Sequence, residues 1–93
     1  MIRFTEPVKF LGKSTRTNQP DSEKDWSVDE ATLFIGDLGR IKVQVGAFNT
    51  STDHIKLPAK GEMINLELDV ELGKFGAPVL LWNENARFQK VAA

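Results

Sequence analysis

Cysteine is missing from this 93-residue chain. That absence excludes a disulfide framework, a thiolate metal site and a cysteine nucleophile together. Histidine occurs once, as His54, in a polar stretch with no ligand pattern around it, which describes a solvated loop residue better than a metal ligand or a general base. No apolar run approaches the roughly 20 residues that a membrane-spanning helix needs. Met1 to Leu11 has neither the continuous apolar core nor the cleavage pattern of a leader, so the chain is expected to be soluble and unprocessed. Charge of either sign is not in excess: 12 Lys and Arg against 13 Asp and Glu give −1. A polyanion could be bound only if the basic residues are gathered on one surface.

Helical periodicity is also lacking, since no segment sustains it over three turns. What is there is alternation. In Met63 to Leu72, Ile64, Leu66, Leu68, Val70 and Leu72 alternate with Asn65, Glu67, Asp69 and Glu71, the period of two of a strand with one face in a core. Arg40 to Phe48 alternates as well, with Ile41, Val43, Val45 and Ala47 on one side. Trp26 to Ile35 is rich in aromatic and β-branched residues and ends in Gly36-Asp37-Leu38-Gly39, so strand, turn, strand is predicted over roughly 26–48. The first strand is predicted at Ile2 to Leu11, with Phe4, Val8 and Phe10 on one face and Pro7 at an edge or bulge. The last is predicted at Pro78 to Val91, loosened by Asn83-Glu84-Asn85. Asn49 to Gly61 reads as a long loop, with one helical turn around His54.

Thr15 to Asp25 is wholly polar. Composition describes a mobile loop; the alternative is a protruding hairpin with Asn18 to Ser22 at its tip and Gly12 to Thr17 pairing back against Lys24 to Asp29. With 41% hydrophobic and 27% charged residues, the chain fits one domain over residues 1–93. Five strands in that length predict an all-β fold, a small five-stranded antiparallel OB-like barrel with a protruding hairpin wing, although an SH3-like barrel fits the periodicity nearly as well. A domain of this size buries a modest share of its surface, and dimerisation would be an easy way to gain stability, so oligomerisation is expected.

Enzymatic chemistry finds little to work with. The serines lack a nucleophile-elbow context, no glycine-rich loop opens a helix, and the row Glu67, Asp69, Glu71 is the solvent half of an alternating strand. No catalytic residue, metal, cofactor or small-molecule substrate is expected. The aromatics are more informative. Phe4, Phe10, Phe34, Phe48, Trp82 and Phe88 fit strand faces or apolar runs and read as core. Trp26, among Glu23, Lys24, Asp25 and Asp29, and Phe75, between Gly73-Lys74 and Gly76, cannot be buried by their neighbours in sequence. Aromatic faces beside basic groups are what single-stranded nucleic acid requires. The alternatives are a dimer interface for Phe75 and a platform packed on the next strand for Trp26. Taken as a whole molecule, the competing functions are a β-barrel adaptor for a protein partner or a structural dimerisation module, each using Phe75 and Trp26.

Several short segments carry a resemblance in their order and spacing: Ser14-Thr15-Arg16, Lys24-Asp25-Trp26-Ser27-Val28-Asp29-Glu30, Asp37-Leu38-Gly39, Leu57-Pro58-Ala59-Lys60-Gly61 and Leu72-Gly73-Lys74-Phe75-Gly76. Over nearly its whole length the chain resembles the filamentous bacteriophage single-stranded-DNA-binding proteins, the gene-five or helix-destabilising family. The resemblance implies an OB-like barrel that forms a two-fold dimer and coats single-stranded DNA cooperatively, largely without sequence preference. It also implies a part in phage DNA replication in the host cytoplasm, with RNA binding left open. Arg16 and Lys24 would meet phosphates, Trp26 would be the wing's aromatic, Val28 its apolar neighbour and Phe34 the aromatic on the adjoining strand. Phe75 would stack on a base held mainly by the partner subunit. Lys42, Lys74 and Arg87 would add positive charge. The wing departs from the family in its acidic Asp21, Glu23 and Asp25 and in lacking a second arginine, which implies salt-sensitive binding.

Overall fold

The computed structural model describes residues 1–18, 25–73 and 75–91. Their regular structure is all strand: β1 (Ile2–Arg3), β2 (Val8–Thr17), β3 (Ser27–Ile35), β4 (Gly39–Val45), β5 (Met63–Leu72), β6 (Pro78–Trp82) and β7 (Arg87–Lys90). No helix among the described residues is long and apolar enough to cross a membrane.

The alternating segment, β5, is the centre of the architecture because both of its edges are paired. Ile64 is shared by Val8 and Lys90, and Glu67 by Arg3 and Arg87. Each edge thus meets a strand that is broken in the middle: β1 and β2 on one side, β7 and β6 on the other. The first break spans residues 4–7, where Pro7 has no N–H for the ladder, though the Phe4 N–H still donates to the Leu66 carbonyl (3.0 Å). The second is the polar turn at 83–86, closed by the Ala86 N–H on the Asn83 carbonyl (3.1 Å) and the Asn85 N–H on the Asn83 side chain (2.9 Å). Counted with each broken pair as one, five strands close a ring in the order first, second, third, fifth, fourth, first. This is the expected OB-like barrel. One pairing departs from the antiparallel expectation: β4 and β6 close the ring in parallel, Gln44 beside Leu81 and Val45 beside Trp82.

The barrel interior takes Val8 and Phe10 from β2, Ala31, Leu33 and Ile35 from β3, Val43 and Val45 from β4, Ile64, Leu66 and Leu68 from β5, and Trp82. Trp82 is fully buried, with ring centroids of Phe10 and Phe88 at 5.9 and 5.6 Å. The loop between β4 and β5 contributes to this core, which its turn-rich composition does not suggest. Ile55 is buried in it, and the Lys56 carbonyl accepts the Trp82 indole N–H (3.0 Å). Around His54 the chain makes one turn, with the Ile55 N–H on the Thr52 carbonyl (3.0 Å), and no helix.

Inward alternation in β5 stops at Leu68. Val70 and Leu72 are exposed, because by then β5 has left the barrel and pairs only with β6 in a projecting hairpin. Ala47, expected to share the inner side of the third strand, lies beyond the end of β4 and is exposed. The polar stretch that begins at Thr15 is a hairpin, as the second of its two readings has it. Its pairing partners are shifted toward the core, from Gly12 opposite Thr32 to Thr17 opposite Ser27. Asn18 and Trp26 extend it, the Asn18 N–H donating to the Trp26 carbonyl (3.3 Å) and the Trp26 N–H to the Asn18 side chain (3.0 Å). The tip residues 19–24, with Asp21, Glu23 and Lys24, lie outside the described residues. A bulge falls at Leu11, between Phe10 opposite Leu33 and Gly12 opposite Thr32, and not at Pro7. Gly12 permits it at φ 130°, a left-handed backbone that costs glycine little, and the extra residue turns the following side chains to the other face.

Candidate nucleic-acid interface

Residues directly opposite each other in an antiparallel pair point to the same face, so the registers of β2, β3 and β4 fix what their outer surface carries. Opposite the core positions Ala31, Leu33 and Ile35, the outer row of β3 is Val28, Glu30, Thr32 and Phe34. Facing it are Arg16, Ser14 and Lys9 on β2 and Gln44, Lys42 and Arg40 on β4. Four cations, Lys9, Arg16, Arg40 and Lys42, therefore share one face on which Glu30 is the one carboxylate from these strands. Lys9, Arg40 and Lys42 are exposed and have no ion-pair partner among the described residues. The near-neutral chain thus segregates its charge as a polyanion site demands.

Aromatic rings stand at both ends of this row. Phe34, read from the sequence as core, is instead 43% exposed between Lys9 and Arg40, because its parity in β3 is the outward one. At the other end the Arg16 guanidinium lies 5.2 Å from the Trp26 ring centre while its Nε meets Glu30 Oε1 at 3.2 Å. Trp26 is half-buried, because Phe48 reaches it from the β4–β5 loop at 5.5 Å between centroids. Phe48 is itself 45% exposed, which corrects its reading as core. Val28, expected as an apolar contact, is 3% exposed opposite Arg16, so it offers no contact surface of its own. From Trp26 to Phe34 the row runs eight residues, roughly 26 Å at the rise of a strand.

The remaining expected residues lie elsewhere. Arg87 is on β7, opposite Glu67 and on the far side of β5 from β2, so it is not part of the cationic face. It lines an open groove of about 690 Å³ with Arg3, Phe4, Asn65, Glu67 and Phe88. Phe75 sits in the β5–β6 turn and is 92% exposed. The turn closes through the Gly73 N–H on the Ala77 carbonyl (2.7 Å) and the Gly76 N–H on the Gly73 carbonyl (3.0 Å). Gly76 has φ 77°, and a side chain at residue 73 would press within about 3 Å of Val79, so both glycines are needed for a reversal this tight. Lys74 lies outside the described residues. Lys9 and Arg40 were missed by sequence reasoning, since only the register brings them beside Phe34.

On the inner side of the wing base, Asp29 ties three segments together. Its carboxylate accepts the Thr15 hydroxyl (2.7 Å) and the Thr52 hydroxyl, and Lys13 Nζ lies 3.6 Å away. The Thr52 hydroxyl first, then Thr15 and Lys13, hold Asp29 below the usual carboxylate range against the opposing effect of burial. A depressed folded-state pKa contributes stability that is present above the unfolded value, roughly 3.9, and is lost as pH falls through the folded one. Asp29→Asn is therefore expected to be less stable than the wild type at neutral pH, with the gap closing under acid. Urea midpoints at pH 7, 5 and 3 measure this; a gap that stays constant would remove Asp29 as the cause.

Comparison with known protein families, curated proteins and solved structures returns no match. The nature of the site rests on its own geometry: a shallow outer sheet face with cations along it and rings at its ends. In an OB-like barrel this face belongs to the second and third strands, bounded by the loops between strands one and two and between four and five. Here those loops are the wing and the Phe75 turn.

Proposed function

We propose that this protein binds single-stranded DNA along the outer face of β2, β3 and β4, with little dependence on base sequence. The observation that carries the reading is the gathering of Lys9, Arg16, Arg40 and Lys42 beside Phe34, Trp26 and Phe48 on a chain of net charge −1. Cations neutralise phosphates and release counterions; rings stack on bases of any identity. A face some 26 Å long suits about four nucleotides, at the low end of what one OB-fold covers. The resemblance to the phage proteins adds cooperative coating and a place in phage DNA replication in the host cytoplasm.

The same reading includes a homodimer. On the projecting hairpin, Leu72 (80% exposed) stands opposite Pro78 and Val70 opposite Leu80, so one apolar face runs out toward Phe75. Apolar surface of this kind is characteristic of a protein contact. A second copy would cover it, and a protein partner bound there is the competing function.

Tryptophan emission separates the readings. Trp82 is buried and gives a constant background, whereas Trp26 reports on the face. Oligo(dT) is expected to quench Trp26 and added salt to reverse the quenching; an unchanged spectrum at low salt with micromolar protein would sink the DNA reading. Sedimentation of the free protein is expected to give twice the 10.4 kDa of the chain. If Phe75 stacks on DNA, Phe75→Ala keeps that mass and weakens binding by about 1 to 3 kcal/mol. Dissociation into monomers would assign Phe75 to the interface.

A further inference from the structure

Trp26 is already engaged by two neighbours, the Arg16 guanidinium at 5.2 Å and the Phe48 ring at 5.5 Å, and it is half-buried. Phe48 is the more open ring of the pair, at 45% exposure, and it does not belong to the wing at all. From these contacts we infer that Phe48 is a base-stacking residue of this face, with Trp26 serving as its buttress. The inference rests on the single-stranded-DNA reading above and deepens it, by assigning the stacking at this end of the face to Phe48 of the β4–β5 loop and a supporting role to Trp26 of the wing.

Stacking favours a ring that is held in place before the base arrives, since ordering a free side chain would cost entropy on binding. The loop that bears Phe48 is fixed in this way. Asn49 follows it in a left-handed backbone (φ 60°), a conformation asparagine tolerates better than most residues. The Asn49 N–H donates to the Ser27 carbonyl, and its side-chain oxygen accepts the Ser27 N–H, both at 2.8 Å. Two bonds to one residue at the start of β3 thereby set Phe48 beside Trp26. Three residues further on, Thr52 donates its hydroxyl to Asp29 and anchors the loop a second time. Thr50 closes it on itself, its hydroxyl donating to the Ala47 carbonyl (2.8 Å). The ring therefore stands at the Arg16 end of the cationic row as Phe34 does at the Arg40 end, and a strand lying along the row meets a ring at each end.

A structural role and a stacking role differ in what the ligand must contain. Phe48→Leu keeps an apolar side chain against Trp26 but removes the π face. Fluorescence anisotropy would compare wild type and Phe48→Leu on labelled oligo(dT) and on an abasic deoxyribose-phosphate strand of the same length. The expected result is an affinity for oligo(dT) lowered about 5- to 150-fold, the range for losing one stacked base, with affinity for the abasic strand unchanged. The salt dependence should match the wild type because no phosphate contact is lost, and Phe48→Trp should restore binding. Equal losses on both strands would make Phe48 a support for the face and overturn the assignment. Wild-type binding that Phe48→Leu leaves within twofold would overturn it too, while leaving the DNA reading intact. Failure of the wild type to bind either strand would remove both.

Discussion

Trp82→Ala is expected to lower the unfolding free energy by about 3 to 5 kcal/mol, the range for emptying a buried large aromatic site. For 93 residues the whole stability is on the order of 5 to 14 kcal/mol, so this one change takes a large share of it. The site is a severe one for two physical reasons. Trp82 is fully buried where β6 closes the barrel on β4, and its ring meets Phe10 from β2 and Phe88 from β7, so the void would open between three parts of the ring. The Lys56 carbonyl would also lose the indole N–H that it accepts. Trp82→Phe, which refills most of the volume and forfeits the hydrogen bond, is expected to cost less. Urea unfolding followed by circular dichroism checks both. Near-equal midpoints for wild type and Trp82→Ala would mean that the barrel does not depend on this closure.

The elements themselves were legible in the sequence. The alternation from Met63 to Leu72, the turn at 36–39 and the polar hairpin are local patterns, and local patterns survive without knowledge of the partner strand. What could not be read was which strand lies beside which residue. Phe34 and Phe48 look like core because they sit among apolar neighbours, yet Phe34 shares its parity with Glu30 and Thr32, opposite Leu33 and Ile35. A strand with apolar residues on both parities does not announce its inner face. The bulge at Leu11 hides the phase of β2 in the same way. Lys9 and Arg40 lie 31 positions apart and meet only because both face Phe34. Arg87 shows the converse: a basic residue can be noticed in the sequence and still fold to another wall of the barrel. Val28 is a third case. Its outward parity suggests a contact surface, but Arg16 stands opposite it and the position is buried.

Neutralising Arg40 and Lys42 together, as Arg40→Gln with Lys42→Gln, is expected to cost more binding than the loss of either cation alone. Single-strand binding falls with a slope of roughly −0.7 per neutralised phosphate in log affinity against log salt, so each contact is worth about 0.9 decade at 50 mM. Two contacts then give a loss on the order of 50- to 100-fold at that salt, and the slope itself becomes shallower by about 1.4. The wild type, using two to four of its cations, should lose roughly 7- to 50-fold between 50 and 200 mM. Both side chains are exposed and free of ion pairs among the described residues, so the variant should fold as the wild type does. Arg87→Gln provides the control that matters most. It removes one positive charge where the double variant removes two, and takes it from β7, and it is expected to leave affinity within about twofold, a change worth less than half a kcal/mol. Oligo(dT) titrations of the two variants at both salt concentrations therefore test where the strand runs. Equal losses per charge removed would mean that only total charge matters and that the face composed of β2, β3 and β4 has no special role. A loss confined to Arg87→Gln would move the binding site to the groove between β1 and β7.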